Sequence, residues 1–200
     1  HNMRTIHFIK KPEKRQRIAH ETLEVYAPLA ERIGMRNFKE ELQDIAFSVL
    51  KDDAYHSIVN RLLFLREQGR PMVDKIKDDL QTICLEQGLA AEVTGREKKP
   101  YSIWKKMERK NIAFEQLSDI MAFRIVVPDI ANCYGVLGAV HSAYHMVPGR
   151  FKDYISTPKP NGYKSIHTTV ITPGGQRVEV QIRTKDMHNF AEYGVAAHWG

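Results

Sequence analysis

The spacing of the apolar residues changes at Gly88, and this change limits the possible folds more than any other feature of the sequence. Before Gly88, apolar side chains recur every three or four residues, which is the period of one helix face. After Gly88, short β-branched segments follow one another, with turn residues and amphipathic stretches between them. The sequence therefore predicts a helical first part and a second part in which helices cover a β-sheet.

Three apolar series predict the helices of the first part, and glycine and proline residues predict their ends. The series run from Ile18 to Ile33, from Phe38 to Val49 and from Ile58 to Leu65. Pro28 is expected to kink or break the first helix, because proline lacks the amide proton that a helix interior uses. Gly34 should end that helix, Gly69 should end the third, and Pro71 should begin a fourth.

Four segments of the second part have the composition of strands, and helical segments lie between them. The strand segments are "AAEVTG", "DIMAFRIVV", "HTTVIT" and "QRVEVQIRT". The last two flank a "PGG" turn, which predicts an antiparallel hairpin and therefore a sheet of mixed direction. We predict an α+β fold with a helical connector at residues 1–88 and a sheet domain at residues 89–200.

Charge and cysteine content narrow the class of protein. The chain has 30 Lys+Arg against 24 Asp+Glu, a net charge of +6, which favours an anionic partner. Cys84 and Cys133 have no metal-type spacing and favour a reducing compartment. No apolar run reaches the roughly 18 residues of a membrane span, and no signal peptide is evident. We expect a cytoplasmic protein that does not contact a membrane.

A basic segment, "GREKKPYSIWKK", joins a strand to a helix. It places Arg96 and Lys98 just before the helix, and Ser102 and Lys106 one turn apart on it. Free backbone N–H groups at a helix start, together with nearby cations, favour an anion such as phosphate. The P-loop spacing is absent, and a solvated basic turn is the alternative interpretation.

Acidic residues on two strands are candidate metal ligands. In "QRVEVQIRT", one strand face is apolar and the other carries Glu179, Gln181 and Arg183. That polar face should open into a cleft or be paired, because a buried charge without a partner is costly. Glu179 and Asp119 are candidate Mg²⁺ ligands. Arg124 is a charged residue at a position where its neighbours predict an apolar one. Strict alternation places Asp119 and Arg124 on opposite faces of a regular strand. Both can face one cleft only if the strand has a bulge or if Asp119 lies just before it.

Four segments together resemble, in order and spacing, the synthetase domain of the RelA/SpoT homologues of the stringent response. They are "GREKKPYSIWKKM", "LSDIMAFRIVV", "GRFKDYISTPKPNGYKSIHTTV" and "VEVQIRTKDMHNFAEYGVAAHW". The resemblance implies a nucleotidyltransferase-like fold with a mixed β-sheet flanked by helices. It also implies transfer of pyrophosphate from ATP to the 3′-hydroxyl of GTP or GDP, giving AMP and (p)ppGpp, with Mg²⁺ as cofactor.

The resemblance implies a separate set of residues for each nucleotide. The ATP set is Arg96, Lys98, Ser102, Lys106 and Arg124, with the two arginines on either side of adenine. The GTP or GDP set is Lys152, Lys159, Asn161, Tyr163 and His167, with Tyr163 stacked on guanine. Asp119 and Glu179 would bind Mg²⁺, and Glu179 would also help to deprotonate the 3′-hydroxyl. The supporting residues would be Gln181, Arg183, Arg150 and Asp153.

Two more segments of the resemblance concern a hydrolase domain and regulation. "HNMRT", at residues 1–5, resembles the end of the family's hydrolase motif "DRLHNMRT", so we expect no hydrolase activity from this fragment. "RFKD", at residues 150–153, is the basic version of a segment that marks bifunctional members of the family. A full-length parent associated with the ribosome or regulated by other proteins is also implied.

Two other functions are compatible with the same residues. One is an RNA-binding module that uses the basic loops, with Tyr163 as a stacking platform. The other is a nucleotide-binding domain without catalytic activity. Asp119 and Glu179 argue against RNA binding, because carboxylates repel phosphate unless a cation intervenes. The expected residue type at every motif position argues against an inactive domain. The sequence leaves the oligomeric state open.

Overall fold

The computed structural model describes residues 3–114, 117 and 121–194. Its contacts divide the chain into two compact units. The helical unit comprises residues 1–64, 99–114 and 190–200, and the sheet unit comprises residues 65–98 and 115–189. The boundaries of these units differ from the predicted boundary at residue 88, because the units are defined by contacts and each contains several segments of the sequence. The functional division into a connector and a synthetase domain stays a prediction.

The helical unit contains the predicted helices, with one change of helix type. Its elements are α1 (Pro12–Glu21), a π-helical segment (Thr22–Tyr26), α2 (Ala27–Arg32), α3 (Arg36–Leu50), the first part of α4 (Asp52–Glu86) and α5 (Pro100–Lys110). Pro28 lies in the first turn of α2, and the wider π-helical turn precedes it. Instead of a break at Pro28, the structure has a π-helical turn just before it. Gly34 follows the end of α2 with a φ of 80°, as predicted.

The predicted helix boundary at Gly69 and Pro71 is wrong. Asp52–Glu86 forms one helix of 35 residues that contains both positions. A proline inside a helix costs about 3 kcal/mol, because it removes a hydrogen bond and crowds the preceding turn. Beyond Pro71, α4 buries Ile76, Leu80 and Cys84 in the core of the sheet unit. We attribute the continuity of α4 to this burial, since each fully buried aliphatic side chain contributes about 1.5–3 kcal/mol.

Helix α5 is attached to α3 within the helical unit by aromatic packing and by one partly buried carboxylate. The ring of Phe47 lies 5.8 Å from the ring of Tyr101 and 5.0 Å from that of Trp104, between centroids. Asp44 Oδ1 accepts a hydrogen bond of 2.9 Å from the Tyr101 backbone N–H. The start of α5 is thus fixed by α3, whose apolar periodicity was visible in the sequence.

The sheet unit contains a six-stranded mixed sheet. Its strands are β1 (Glu92–Arg96), β2 (Met121–Val127), β3 (His145–Met146), β4 (Lys152–Asp153), β5 (Ile166–Ile171) and β6 (Arg177–Thr184), and α6 spans Ile130–Ala143. The order is β1-β2-β6-β5-β3, with β4 also paired to β5. Only β2 and β6 pair in parallel among the described strands. The predicted α+β class and the β5–β6 hairpin are confirmed, whereas β3 and β4 are too short to show alternation.

One face of this sheet forms the core of the unit. Phe123 and Ile125 of β2 and Val180 and Ile182 of β6 are fully buried there. Helix α6 contributes Cys133, Val136 and Val140 to the same cluster. Helix α7 (Lys185–Tyr193) follows β6 directly. None of the helices within the described residues is both long and apolar enough to cross a bilayer.

Candidate functional site

The strand register collects polar residues on the sheet face opposite the core. One row across the strands is Arg96, Ala122, Glu179 and Thr169. The next row is Thr94, Arg124, Gln181, His167 and Lys152. Residues paired in register point to the same side of a sheet, so these rows bring together residues from five strands. The sequence predicted the polar face of β6, and the register adds the neighbours that this face has.

Glu179 lies at the centre of this polar face and is paired with cations. Lys98 Nζ donates to Glu179 Oε2 at 3.0 Å, and Arg96 Nη1 lies 3.8 Å from Oε1. The Glu179 side chain is 21% exposed, so the pairs are largely shielded from solvent. Arg96 and Lys98 were expected at an ATP site and Glu179 at a metal site. The structure brings these two sets into direct contact.

The charge state of Glu179 follows from two opposing effects. Burial alone would raise the pKa of Glu179, because a carboxylate loses hydration in the protein. Attraction to Lys98 is the next largest effect, followed by that of Arg96 and His167, and together they lower the pKa below its ordinary value. Glu179 is therefore ionised at neutral pH. Its cationic partners hold the negative charge in place before any substrate arrives.

The segment that precedes β5 is a compact turn. The Lys159 N–H donates to the Tyr163 carbonyl at 3.1 Å, and the Gly162 N–H donates to the Lys159 carbonyl at 2.8 Å. Asn161 Oδ1 accepts from the Tyr163 N–H at 3.0 Å. Gly162 has a φ of 86°, a conformation that favours glycine. Asn161 thus shapes the turn, and its predicted contact with a nucleotide stays a prediction.

Tyr163, which is expected to stack on a base, is packed among other side chains. Tyr163 is only 3% exposed. Lys159 Nζ lies 5.2 Å and Arg183 Cζ 5.5 Å from the centre of the Tyr163 ring. The rings of Tyr154 and His167 pack against it at 6.1 and 5.7 Å. A base could stack on Tyr163 only after a neighbour moves, and the flexible Lys159 side chain is the neighbour best able to do so.

The start of helix α5 also differs from the prediction. Ser102 and Lys106 lie on α5 in the helical unit, as their spacing indicated. The N–H groups of this helix start were expected to be free for an anion, but the Tyr101 N–H donates to Asp44. Burial raises the pKa of Asp44 to about 6. Sequence reasoning missed Asp44, since an acidic residue within an amphipathic helix carries no signal of its partner.

Asp153 organises the chain between β4 and the Tyr163 turn. Its carboxylate accepts hydrogen bonds of 2.8 to 3.0 Å from the backbone N–H groups of Ile155 and Ser156, the Ser156 hydroxyl and the Tyr134 hydroxyl. Burial alone would raise the pKa of Asp153, but the hydrogen bonds from Ser156, Tyr134 and Ile155 outweigh it and lower the pKa. Tyr134 was not predicted, because it lies on α6 and only the fold brings it here.

Arg150 and Asp119 are the remaining predicted residues of the site. Arg150 precedes β4 and is partly exposed. Asp119 lies outside the described residues, so its predicted metal contact stays a prediction. The described part of β2 begins at Met121, two residues later.

Comparison with known proteins identifies the family. The sequence matches the family described as "Region found in RelA / SpoT proteins" over residues 95–200. The chain belongs to the RelA/SpoT family. It is 52% identical to the GTP pyrophosphokinase rsh of Brucella ovis over 198 residues, which is 99% of this chain and 26% of that protein. It is 48% identical to the bifunctional (p)ppGpp synthase/hydrolase SpoT of Escherichia coli K12 over 199 residues, which is 100% of this chain and 28% of that protein.

Solved structures of this family support the fold. The small alarmone synthetase 1 of Bacillus subtilis matches with a TM-score of 0.52 and 29% identity, over 66% of this chain and 75% of that chain. The small alarmone synthetase 2 of the same organism matches with a TM-score of 0.51 and 30% identity, over 66% and 74%. The nucleotidyltransferase-like architecture expected from the sequence is thereby confirmed. This RelA/SpoT chain spans only about a quarter of the length of the rsh and SpoT relatives.

Proposed function

We propose that the chain is a (p)ppGpp synthetase, which transfers the β,γ-pyrophosphate of ATP to the 3′-hydroxyl of GTP or GDP. The observation that carries this proposal is the ionised Glu179 beside Lys98 and Arg96 on the polar sheet face. Transfer of this kind requires mainly positioning of the two substrates and cations around the developing charge. Relatives named GTP pyrophosphokinase, and structural neighbours named alarmone synthetase, support the same activity.

In the proposed reaction, Glu179 accepts a proton, and Lys98 moves from Glu179 to ATP. The acceptor 3′-oxygen attacks the β-phosphorus of ATP, the bond from that phosphorus to the α–β bridging oxygen breaks, and AMP leaves with the electron pair. Glu179 receives the proton of the 3′-hydroxyl. Lys98 now pairs with Glu179, but as a phosphate ligand it would turn to ATP. The departure of Lys98 would leave Glu179 Oε2 able to accept the proton of the 3′-hydroxyl, while Oε1 stays beside Arg96.

The residues of the polar face fit a bound Mg²⁺. Glu179 supplies carboxylate oxygens, which are preferred ligands, and Mg²⁺ typically takes one or two carboxylates together with substrate phosphates. No group of three or more His, Cys, Asp or Glu side chains among the described residues could hold a metal by itself. Asp119 remains the proposed second ligand. When bound, Mg²⁺ would neutralise phosphate charge in the transition state.

The two nucleotide sets are proposals of the same kind. Arg96, Lys98, Ser102, Lys106 and Arg124 would bind ATP. Lys152, Lys159, Asn161, Tyr163 and His167 would bind GTP or GDP. Lys152 and His167 are paired in register beside Gln181, and this common location on the polar face supports their joint assignment. An RNA base, like guanine, could stack on the buried Tyr163 only after a neighbour moves, so this burial does not separate the two functions. Glu179 disfavours RNA binding, because a carboxylate repels phosphate unless a cation intervenes.

The hydrolase remnant, the regulation and the localisation are further proposals. The match of the whole chain to a bifunctional relative supports the assignment of residues 1–5 to the end of a hydrolase motif. Regulation through the ribosome or other proteins rests on the same resemblance. A cytoplasmic location rests on Cys84 and Cys133, which favour a reducing compartment.

Product analysis tests the synthetase proposal. The chain is incubated with labelled ATP, GTP and Mg²⁺, and AMP and pppGpp are separated and counted. We expect the two products in equal amounts, and neither when GTP is omitted. Release of AMP that does not depend on GTP would indicate simple ATP hydrolysis and contradict the proposal. Absence of both products, together with absence of nucleotide binding, would also contradict it.

A further inference from the structure

Four hydrogen bonds form a continuous chain across the polar face of the sheet. Arg183 is 1% exposed, and its Nη2 donates to Tyr163 Oη at 2.8 Å and to Gln181 Oε1 at 2.6 Å. Gln181 Nε2 donates to Glu179 Oε1 at 3.3 Å. At the other end, Tyr163 Oη lies 2.7 Å from His167 Nε2. The chain connects two residues of the proposed acceptor site with the proposed catalytic carboxylate.

The donor and acceptor roles are fixed from Tyr163 through Arg183 and Gln181 to Glu179. A guanidinium can only donate, so the Gln181 atom that faces Arg183 is the amide oxygen. The amide NH₂ of Gln181 is therefore directed towards Glu179. Tyr163 Oη accepts from Arg183, and its bond with His167 Nε2 runs in the direction that the imidazole tautomer sets. Because the roles are fixed, movement of one side chain changes the bonds that the next one makes.

The two ends of the chain lie where the two substrates are proposed to bind. Glu179 uses Oε1 for Gln181 and Oε2 for Lys98, so the orientation of the carboxylate depends on both partners. At the acceptor end, Lys159 Nζ lies over the ring of Tyr163. An acceptor nucleotide that engages Lys159 or this ring changes the surroundings of the Tyr163 hydroxyl.

We propose that Gln181 and Arg183 are positioning residues that couple acceptor binding at Tyr163 to the orientation of Glu179 and, through Lys98, to ATP binding. This proposal rests on the synthetase function proposed above and adds a coupling between its two substrates. Coupling of this kind is reciprocal, so GDP changes the affinity for ATP by the same factor by which ATP changes the affinity for GDP. If these hydrogen bonds had a purely structural role, substitutions would change the stability of the protein, but GDP would not change its affinity for ATP.

Binding experiments separate coupling from stability. The probes are GDP and α,β-methylene-ATP, in which the bond that would break is replaced, and affinities are measured by calorimetry with Mg²⁺. We expect GDP to change the affinity of the parent protein for the ATP analogue by about fivefold or more. Tyr163→Phe keeps the ring and removes the hydroxyl, and Gln181→Met keeps the length and removes both hydrogen bonds. Either variant should reduce the factor to below about twofold, and the double variant should reduce it no further.

The matched control is Tyr144→Phe. Tyr144 is also a buried tyrosine of the sheet unit, but it belongs to the apolar core cluster. This control should keep the factor of the parent protein. If Gln181→Met does not fold, Tyr163→Phe alone decides, because it retains the packed ring.

The outcomes distinguish this proposal from the proposed function. Binding of both nucleotides with the same factor in the parent and in the two variants overturns the coupling and leaves the synthetase function standing. A parent factor of one has the same consequence. Binding of neither nucleotide to the parent overturns the synthetase function and the coupling together.

Discussion

Two partly buried carboxylates, in different regions of the molecule, have pKa values shifted in opposite directions. On the polar face of the sheet, Glu179 is paired with Lys98 and Arg96, and its pKa is lowered. At the start of α5, burial raises the pKa of Asp44 to about 6 although Asp44 accepts the Tyr101 N–H. Burial acts in the same direction in both places. At Glu179, Lys98 and Arg96 outweigh the effect of burial on the pKa, whereas at Asp44 the attraction of Lys99 does not.

The largest expected effect follows from neutralising the paired carboxylate. Glu179→Gln removes the charge and the proton acceptor while it nearly preserves the shape of the side chain. Since general bases contribute about 10²–10⁴-fold, we expect the rate of AMP formation with GTP to fall by that factor. Single-turnover assays at saturating ATP and GTP measure it.

The matched control for this prediction is Glu86→Gln, at an exposed position near the end of α4. It should leave the rate within about twofold of the parent, since surface substitutions of this kind rarely matter. An equal rate for Glu179→Gln and the parent would show that Glu179 is not the base. Glu179 and Asp44 would then differ in the direction of their pKa shifts, but neither would act as a catalytic base.

Removal of the Lys98 charge should shift the pKa of Glu179 upwards, as burial does for Asp44. Lys98→Met leaves the carboxylate buried with less compensation, so the pKa of Glu179 should rise. In the parent, the lowered pKa stabilises the fold above the unfolded pKa, and this contribution is lost as the pH falls. In the variant, a raised pKa favours the fold only at low pH, and the contribution is lost as the pH rises.

Urea unfolding at pH 5 and pH 8 measures this change of sign. We expect Lys98→Met to lower the free energy of unfolding by about 1–3 kcal/mol at pH 8 and by less at pH 5. Lys105→Met, on α5, is the control for loss of a lysine and should show no such pH dependence. A loss that is the same at both pH values would mean that Lys98 contributes packing and not charge compensation.

The smallest expected effect concerns Asp44. Its raised pKa favours the fold below the ordinary Asp pKa, and this contribution is lost as the pH rises through about 6. Asp44→Asn keeps an acceptor for the Tyr101 N–H without the charge. We expect the variant to gain about 1 kcal/mol at pH 7, a figure reduced for solvent screening, and little at pH 4.

Thermal or urea unfolding across this pH range tests the prediction. Asp53→Asn, at the exposed start of α4, is the control for loss of a carboxylate. A loss of stability in Asp44→Asn at pH 7 would mean that the charge itself holds the start of α5. Asp44 would then act as a charged helix cap and would not be the opposite of Glu179.

Sequence reasoning found the elements with strong periodicity and missed those determined by packing elsewhere. The alternation of Val178, Val180 and Ile182 predicted both faces of β6, because neighbouring side chains of a strand point to opposite sides. The two-residue strands β3 and β4 were not predicted, because so short a segment has no period. The continuity of α4 through Pro71 depends on burial beyond the proline, which local rules do not include.

The sequence by itself determined which residue types meet at the candidate site, and the tertiary structure decided how they are paired. Glu179, Lys98 and Tyr163 were all identified from motifs and from the family resemblance. The Lys98–Glu179 ion pair joins residues 81 positions apart, and the burial of Tyr163 depends on contacts with Tyr154 and Arg183. Periodicity is a local property of a chain, whereas charge pairing and burial depend on which distant segments the fold brings together.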